Sequence, residues 1–160
     1  MDGGTLPPVW RESLEMSRSV AVVVGFAFCV AGIAGANALD SGYKVIVNAK
    51  VGGRSVPKDV LAQVYLGQAN RWGNGTPIAA VDLSTTSVVR KAFSEEVLGM
   101  PVDAVKNLWL KKLSSGGARP LLSKASDDEV IAFVAAQPGG VGYVSPSATL
   151  PATVAEVSIQ

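Results

Sequence analysis

Three hydroxyl side chains in a row, Thr85, Thr86 and Ser87, stand just ahead of the apolar-periodic run Val89, Phe93 and Val97, with Arg90 one turn in. That arrangement can do one kind of chemistry. The first amides of a helix have no partner inside it, so a polar helix start presents N–H donors and a positive dipole end to an anion. Arg90 adds a guanidinium, which is suited to oxyanions because its N–H groups form a planar fork. Two further loops offer weaker versions of the same chemistry: Arg54-Ser55, and the glycine-rich Ser114–Arg119, "SSGGAR".

Other chemistries are excluded by residue type. The chain has no histidine and a single cysteine, Cys29, so Ser-His-Asp, Cys-His and histidine-based zinc sites cannot be built. A Ser-Lys pair around Lys124, or paired carboxylates, would be the remaining routes to catalysis, and no spacing brings such groups to one strand end. The cluster Asp127, Asp128 and Glu129 follows Ser126 in a capping-box pattern, so helix capping explains it without a metal. The sequence therefore predicts a protein that is not an enzyme, with no catalytic residue, no metal and no cofactor.

Fourteen basic and 13 acidic residues give no overall electrostatic case for nucleic acid or an anionic membrane surface. Val20–Ala36, "VAVVVGFAFCVAGIAGA", carries no charge and leads to Ala36-Asn37-Ala38. This pattern predicts a signal peptide over residues 1–38, cleaved after Ala38, and a periplasmic or secreted protein without membrane contact after cleavage. The alternative is an uncleaved N-terminal membrane anchor, although the run is short for a bilayer span. Cys29 behind Phe28 does not suit lipid attachment. Asp2, Glu12 and Glu15 against Arg11 do not suit a leader's head, whereas Met16 opens "MSRSVAVVV"; the true start is expected at Met16.

Removing residues 1–38 takes away Arg11, Arg18, Asp2, Glu12 and Glu15, which leaves 12 basic and 10 acidic residues and no cysteine. One domain, 39–160, must then be held by hydrophobic burial without disulfides. Its elements are legible in order. "YKVIVN" (43–48) predicts a strand buried on both faces. A helix opens at Pro57 and stops at Gly67, with Val60, Leu61, Val64 and Tyr65 on one face. "TPIAAVDL" is a second strand, followed by a helix from Ser84–Ser87 to about Leu98, marked at its end by Gly99 and Pro101.

A third helix over "VDAVKNLWLKKL" carries the stripe Val105, Leu108, Trp109 and Leu113, with Lys106, Lys111 and Lys112 facing water. Ser126 starts a fourth helix that ends at "QPGG". "VGYVS" and "ATVAEVSI" are the closing strands, and Gly142 allows a close backbone approach. This order predicts a three-layer α/β/α domain with a mostly parallel sheet.

In that order, "VIVN", "VYLGQANRWGNGTPI", "RKAF" and "EVIAFVAAQPGGVGYVS" resemble the phosphate-type substrate-binding proteins of bacterial ABC transporters. The likeness runs from about Tyr43 to Ser145. It implies a single lobe of a type II periplasmic-binding-protein-like fold, matching the family's second lobe, with Leu66–Gly75 as a helix-to-strand turn and Trp72 as a core plug. It also implies a ligand site at the helix after the second strand, where the family carries Arg-x-Asp-x-Ser-Gly-Thr. On that pattern only Ser87 is kept: Leu83 stands at the guanidinium position, Thr85 at the carboxylate position, and Val88-Val89 at the Gly-Thr pair.

The resemblance therefore implies an exported binding module with Ser87, Thr86, Thr85 and Arg90 as ligand residues. Its ligand would be phosphate or another small oxyanion, held weakly because half of the shell is lost. The alternative is a periplasmic interaction or accessory protein that has lost anion binding, with a homodimer mate or another protein covering the lobe's open face.

Overall fold

The computed structural model describes residues 42–117 and 119–160. The expected leader over 1–38, the alternative anchor and the Met16 start lie outside the described residues. The described residues belong to a compact unit, Asn37–Gln160, and among them no helix is long and apolar enough to cross a membrane.

Two amphipathic patterns and one doubly apolar strand dictate the architecture. The centre is β1 (Lys44–Asn48), buried on both faces as its β-branched run requires. Around it lie β2 (Ser55–Val56), β3 (Ala79–Leu83), β4 (Leu122–Lys124), β5 (Gly140–Val144) and β6 (Val154–Ile159), in the sheet order β2-β6-β1-β5-β3-β4. The pairs β3·β4, β3·β5 and β2·β6 are parallel, whereas β1 runs antiparallel to both β5 and β6. Three of five pairings are thus parallel, and the antiparallel strand is the central one. The short strands β2 and β4 fall in stretches whose sequence reads as loop, because two or three residues are too few to show a period.

One sheet face is covered by α4 (Asp127–Ala136), the other by α1 (Lys58–Tyr65) and α2 (Val88–Phe93), giving three layers, and α3 (Val102–Ser114) packs on the ends of α1 and α2. Alternation decides which residue meets which layer. On the α4 face, Gly142 lies against Val130 and Val134, and the Asn48 side-chain amide donates to the Val134 and Ala135 carbonyls at 2.9 and 3.0 Å. On the other face, Tyr143 stacks on Phe93 with ring centroids 4.0 Å apart, and Tyr65 and Tyr43 meet Phe93 edge-on at 4.7 and 5.3 Å. The core runs from Tyr43 to Val157, so the described residues contain their own core.

Local chemistry fixes the ends. Gly67 terminates α1 at φ 67°, a conformation costly for a residue with a Cβ. Ser126 caps α4, accepting from the Glu129 amide at 3.3 Å, while Glu129 accepts from the Ala125 amide at 2.8 Å. This is a capping box whose return bond reaches one residue further back. Beyond Phe93 the α2 helix continues as a π-helical turn, Ser94–Leu98, which Gly99 ends at φ 66°. Trp72 is buried, and its Nε1 donates to the Gly139 carbonyl at 3.0 Å, as a core plug should.

Helix α3 differs from expectation. Val105 and Trp109 are buried, but Leu113 is 48% exposed. Lys112 turns inward instead of facing water: its Nζ donates to the Leu66 carbonyl and sits 5.3 Å from the Trp109 ring centroid. The reason is the turn that ends α1: the Gly67 and Gln68 amides satisfy the Val64 and Gln63 carbonyls, and the turn's own Leu66 and Gly67 carbonyls are left to accept from Lys112.

A Cβ on Gly142 would lie 2.7 Å from Val130 Cγ1 and 3.0 Å from Val81 Cγ1. Gly142→Ala should therefore push α4 off the sheet and cost about 1–3 kcal/mol, read as a lower urea midpoint; an unchanged midpoint would show that this contact is not tight.

Candidate functional site

Strands β3, β4 and β5 run in the same direction, so their carboxyl ends deliver Ser84–Ser87, Ala125–Ser126 and Ser145–Ser147 to one edge of the sheet. Open α/β sheets place ligands outside that edge. Ser84 donates its amide to the Lys124 carbonyl at 2.8 Å, and the Ser87 amide donates to Ser84 at 2.9 Å. The turn is thereby closed before the helix begins.

Ser87 is the N-cap of α2: its Oγ accepts from the Arg90 amide at 3.4 Å. Thr85 and Thr86 are exposed, and Ser87 is half-buried. These three line a shallow cleft of about 260 Å³, completed by Val88, Lys91 and Glu95 from the α2 side and by Pro101, Val102 and Asp103 from the start of α3. The structure thus brings Thr85, Thr86 and Ser87 together, beside one cation and two carboxylates. Glu95 and Asp103 are unfavourable to an anion, and neither is expected from the sequence, because both come from elements beyond the helix start.

Arg90 does not line this cleft. It is only 7% exposed, and its Nη1 donates to Asp82 Oδ2 at 2.5 Å and to the Leu83 carbonyl at 2.6 Å. Direct contact with a ligand would require it to leave Asp82. Its Nε is buried and has no hydrogen-bond partner among the described residues. Asp82 Oδ1 accepts from the Tyr143 hydroxyl and, at 2.9 Å, from the Leu83 amide.

The Asp82-Arg90-Tyr143 network is what sequence reasoning missed. Its signal was present as an acidic residue inside "AAVDL", a strand that is otherwise apolar. A carboxylate buried in such a run needs a cationic partner, and Arg90 is the cation that begins the next element.

Burial raises the Asp82 carboxyl above its ordinary 3.8, against the opposing pull of Arg90 and of the hydrogen bonds from Tyr143 and the Leu83 amide. The Tyr143 hydroxyl is likewise held well above its ordinary 10.0, first by burial and then by the Asp82 charge. It remains a neutral donor over the whole working range of pH.

The weaker candidates stand apart from the cleft. Ser55 begins β2 at the far side of the sheet, and Arg54 accepts through its carbonyl from the Ser158 amide at 2.9 Å. Arg119 is exposed in the α3–β4 connection. Asp127 binds the Ser145 hydroxyl and, at 3.2 Å, the Ser145 amide. It therefore ties α4 to the end of β5. Among the described residues no group of three potential ligands is placed to hold a metal ion.

No protein-family model and no curated protein matches the chain. Solved structures do. The chain is similar to an ABC-type phosphate transport receptor from Vibrio cholerae, with 19% identity, a TM-score of 0.57, and coverage of 74% of this chain and 46% of that one. A phosphate-bound putative phosphate ABC transporter substrate-binding protein from Clostridium perfringens matches at 17% identity and TM-score 0.56, over 74% and 44% of the two chains. PstS from Borrelia burgdorferi matches at 14% identity and TM-score 0.56, over 74% and 47%. The chain spans less than half the length of these proteins, and what it shares with them is the fold of one α/β lobe.

Two outcomes test the buried network. Arg90→Ala leaves Asp82 without its counter-charge and should cost about 3–5 kcal/mol, whereas Asp82→Leu combined with Arg90→Met should recover most of that loss; a double variant as unstable as the single one would refute the pairing. With its carboxyl raised, folded Asp82 holds a proton that the unfolded chain has released. Its contribution to stability is therefore present at low pH and lost as pH rises through its folded-state value. Unfolding free energies of wild type minus Asp82→Asn should fall over that window and stay flat above it; a difference that rises with pH would show the opposite shift.

Proposed function

We propose that the chain is a single-lobe substrate-binding module related to the phosphate-binding proteins of ABC transporters. On this reading it is exported, it is not an enzyme, and it takes phosphate or another small oxyanion weakly at Thr85, Thr86 and Ser87. The observation that carries the reading is position. These residues sit at the carboxyl end of β3 and begin the helix that follows it, which is where such a sheet receives a ligand, and the structural neighbours include a protein with bound phosphate.

The same site explains why the binding is weak. Arg90 supplies its charge from beneath the turn, largely neutralised by Asp82, instead of gripping the anion. Among the described residues Lys91 is the one cation on the cleft, against Glu95 and Asp103. The cleft is shallow and Thr85 and Thr86 are exposed, so each contact is made in high dielectric and is worth correspondingly less.

A second reading rests on Val88. It is 80% exposed on the rim of the cleft, which suits contact with a homodimer mate or another exported protein better than anion capture. The two readings part in one experiment.

Phosphate titrated into Leu39–Gln160 at low salt should shift the backbone amide resonances of Thr85 to Val88, with millimolar affinity. Replacing the carboxylates, as Glu95→Gln with Asp103→Asn, should tighten that binding about threefold or more, because two like charges leave the cleft. Amides that do not move at tens of millimolar phosphate would end the oxyanion reading and leave the protein-contact one.

A further inference from the structure

The near-neutral balance of the chain hides a segregation of charge. Residues 104–126 carry Lys106, Lys111, Lys112, Arg119 and Lys124 and no acidic residue, whereas the rest of the described chain has seven basic and nine acidic residues. The same segment holds three of the large apolar side chains that the described surface exposes: Leu110 at 52%, Leu113 at 48% and Leu122 at 53%. Charge and apolar exposure thus coincide.

Helix α3 gives this segment its geometry. Of its thirteen residues only Val105 and Trp109 are buried, and Lys112 pins the inner side through the Leu66 and Gly67 carbonyls. Lys106, Leu110 and Leu113 recur at i, i+4 and i+7, so they form one exposed strip that flanks the buried side, with Leu113 one turn beyond Trp109 and Asp103 one turn before Lys106. Lys111 and Arg119 are also exposed, and Lys124 is half-buried on the edge strand β4.

We propose that the outer face of α3, with the segment that follows it to Lys124, docks on an anionic lipid surface. Leucines interleaved with lysines on an exposed helix face form the pattern that lies in a bilayer interface: the apolar side chains enter below the headgroups, and the lysine ammonium groups reach back to the phosphates. A protein partner is disfavoured by composition. Interfaces between proteins are depleted in lysine and anchored by aromatic or arginine side chains, and the aromatic residue of α3 faces inward. Self-association through this face would set basic against basic across a two-fold axis. The proposal does not depend on the oxyanion cleft, which is lined from the other end of α3.

The test is co-sedimentation of Leu39–Gln160, whose core is self-contained, with vesicles at low salt. An equal mixture of phosphatidylglycerol and phosphatidylcholine should bind the protein on the order of tenfold more tightly than phosphatidylcholine alone, and raised salt should reverse the difference. Lys106→Glu with Lys111→Glu should abolish the preference, and Leu110→Ser with Leu113→Ser should weaken binding to both vesicle types. All four residues are exposed, so an unchanged urea midpoint verifies the fold of each variant. The proposal is overturned if the two vesicle types bind equally, or if either double variant binds like wild type. Retention on immobilised polyglutamate without vesicle binding would also overturn it and assign the face to an acidic protein instead.

Discussion

The contact on which the rest of the structure depends is the stack of Phe93 on Tyr143. Their rings lie 4.0 Å apart and nearly parallel at 7°, with Tyr65 and Tyr43 edge-on around Phe93. Four aromatic side chains, from the residue before β1 and from α1, α2 and β5, therefore meet in one cluster on one face of the sheet. Aromatic burial of this extent is worth more per residue than aliphatic packing, and its geometry is directional. The cluster fixes where α2 begins. Since the helix start is where Thr85, Thr86 and Ser87 are presented, the position of the candidate site follows from the stack.

Tyr143 also joins this apolar cluster to the polar network beneath the site. Its ring packs on Phe93, its hydroxyl donates to Asp82, and Asp82 holds Arg90, which lies three residues before Phe93 on the same helix. The helix is thus gripped twice within one turn, once by stacking and once by charge. This double attachment accounts for the inward turn of Arg90. A guanidinium pointing outward would leave the buried Asp82 carboxylate without the cation that pairs with it, and that cost exceeds anything that solvent contact returns.

Much of this was legible in the sequence, and the failures share a cause. The strand 43–48, the stops at Gly67 and Gly99, the Ser126 cap, the burial of Trp72 and the close approach at Gly142 all depend on residues within a few positions of one another, where period and turn chemistry decide the outcome. Lys112 and Arg90 were expected on the wrong side of their helices. In each case a distant group decides, the Leu66 carbonyl for Lys112 and Asp82 for Arg90, whereas Leu113 lies one turn beyond Trp109 and is still 48% exposed. The central antiparallel strand was hidden for the same reason, since the direction of pairing is set by partners 94 to 112 residues away.

The attachment of α3 shows how narrow such long-range decisions can be. Gly67 sits at φ 67° to stop α1, and a Cβ there would lie 2.5 Å from Trp109 Cη2. One missing side chain therefore serves two ends: it lets the backbone take the left-handed turn, and it opens the slot that receives the indole. Lys112 then crosses the Trp109 ring to reach the carbonyls that the turn has exposed. With its inner side settled by one glycine, one indole and one ammonium, α3 needs no apolar stripe to stay in place. The exposed Lys106, Leu110 and Leu113 are therefore not what holds the helix in place.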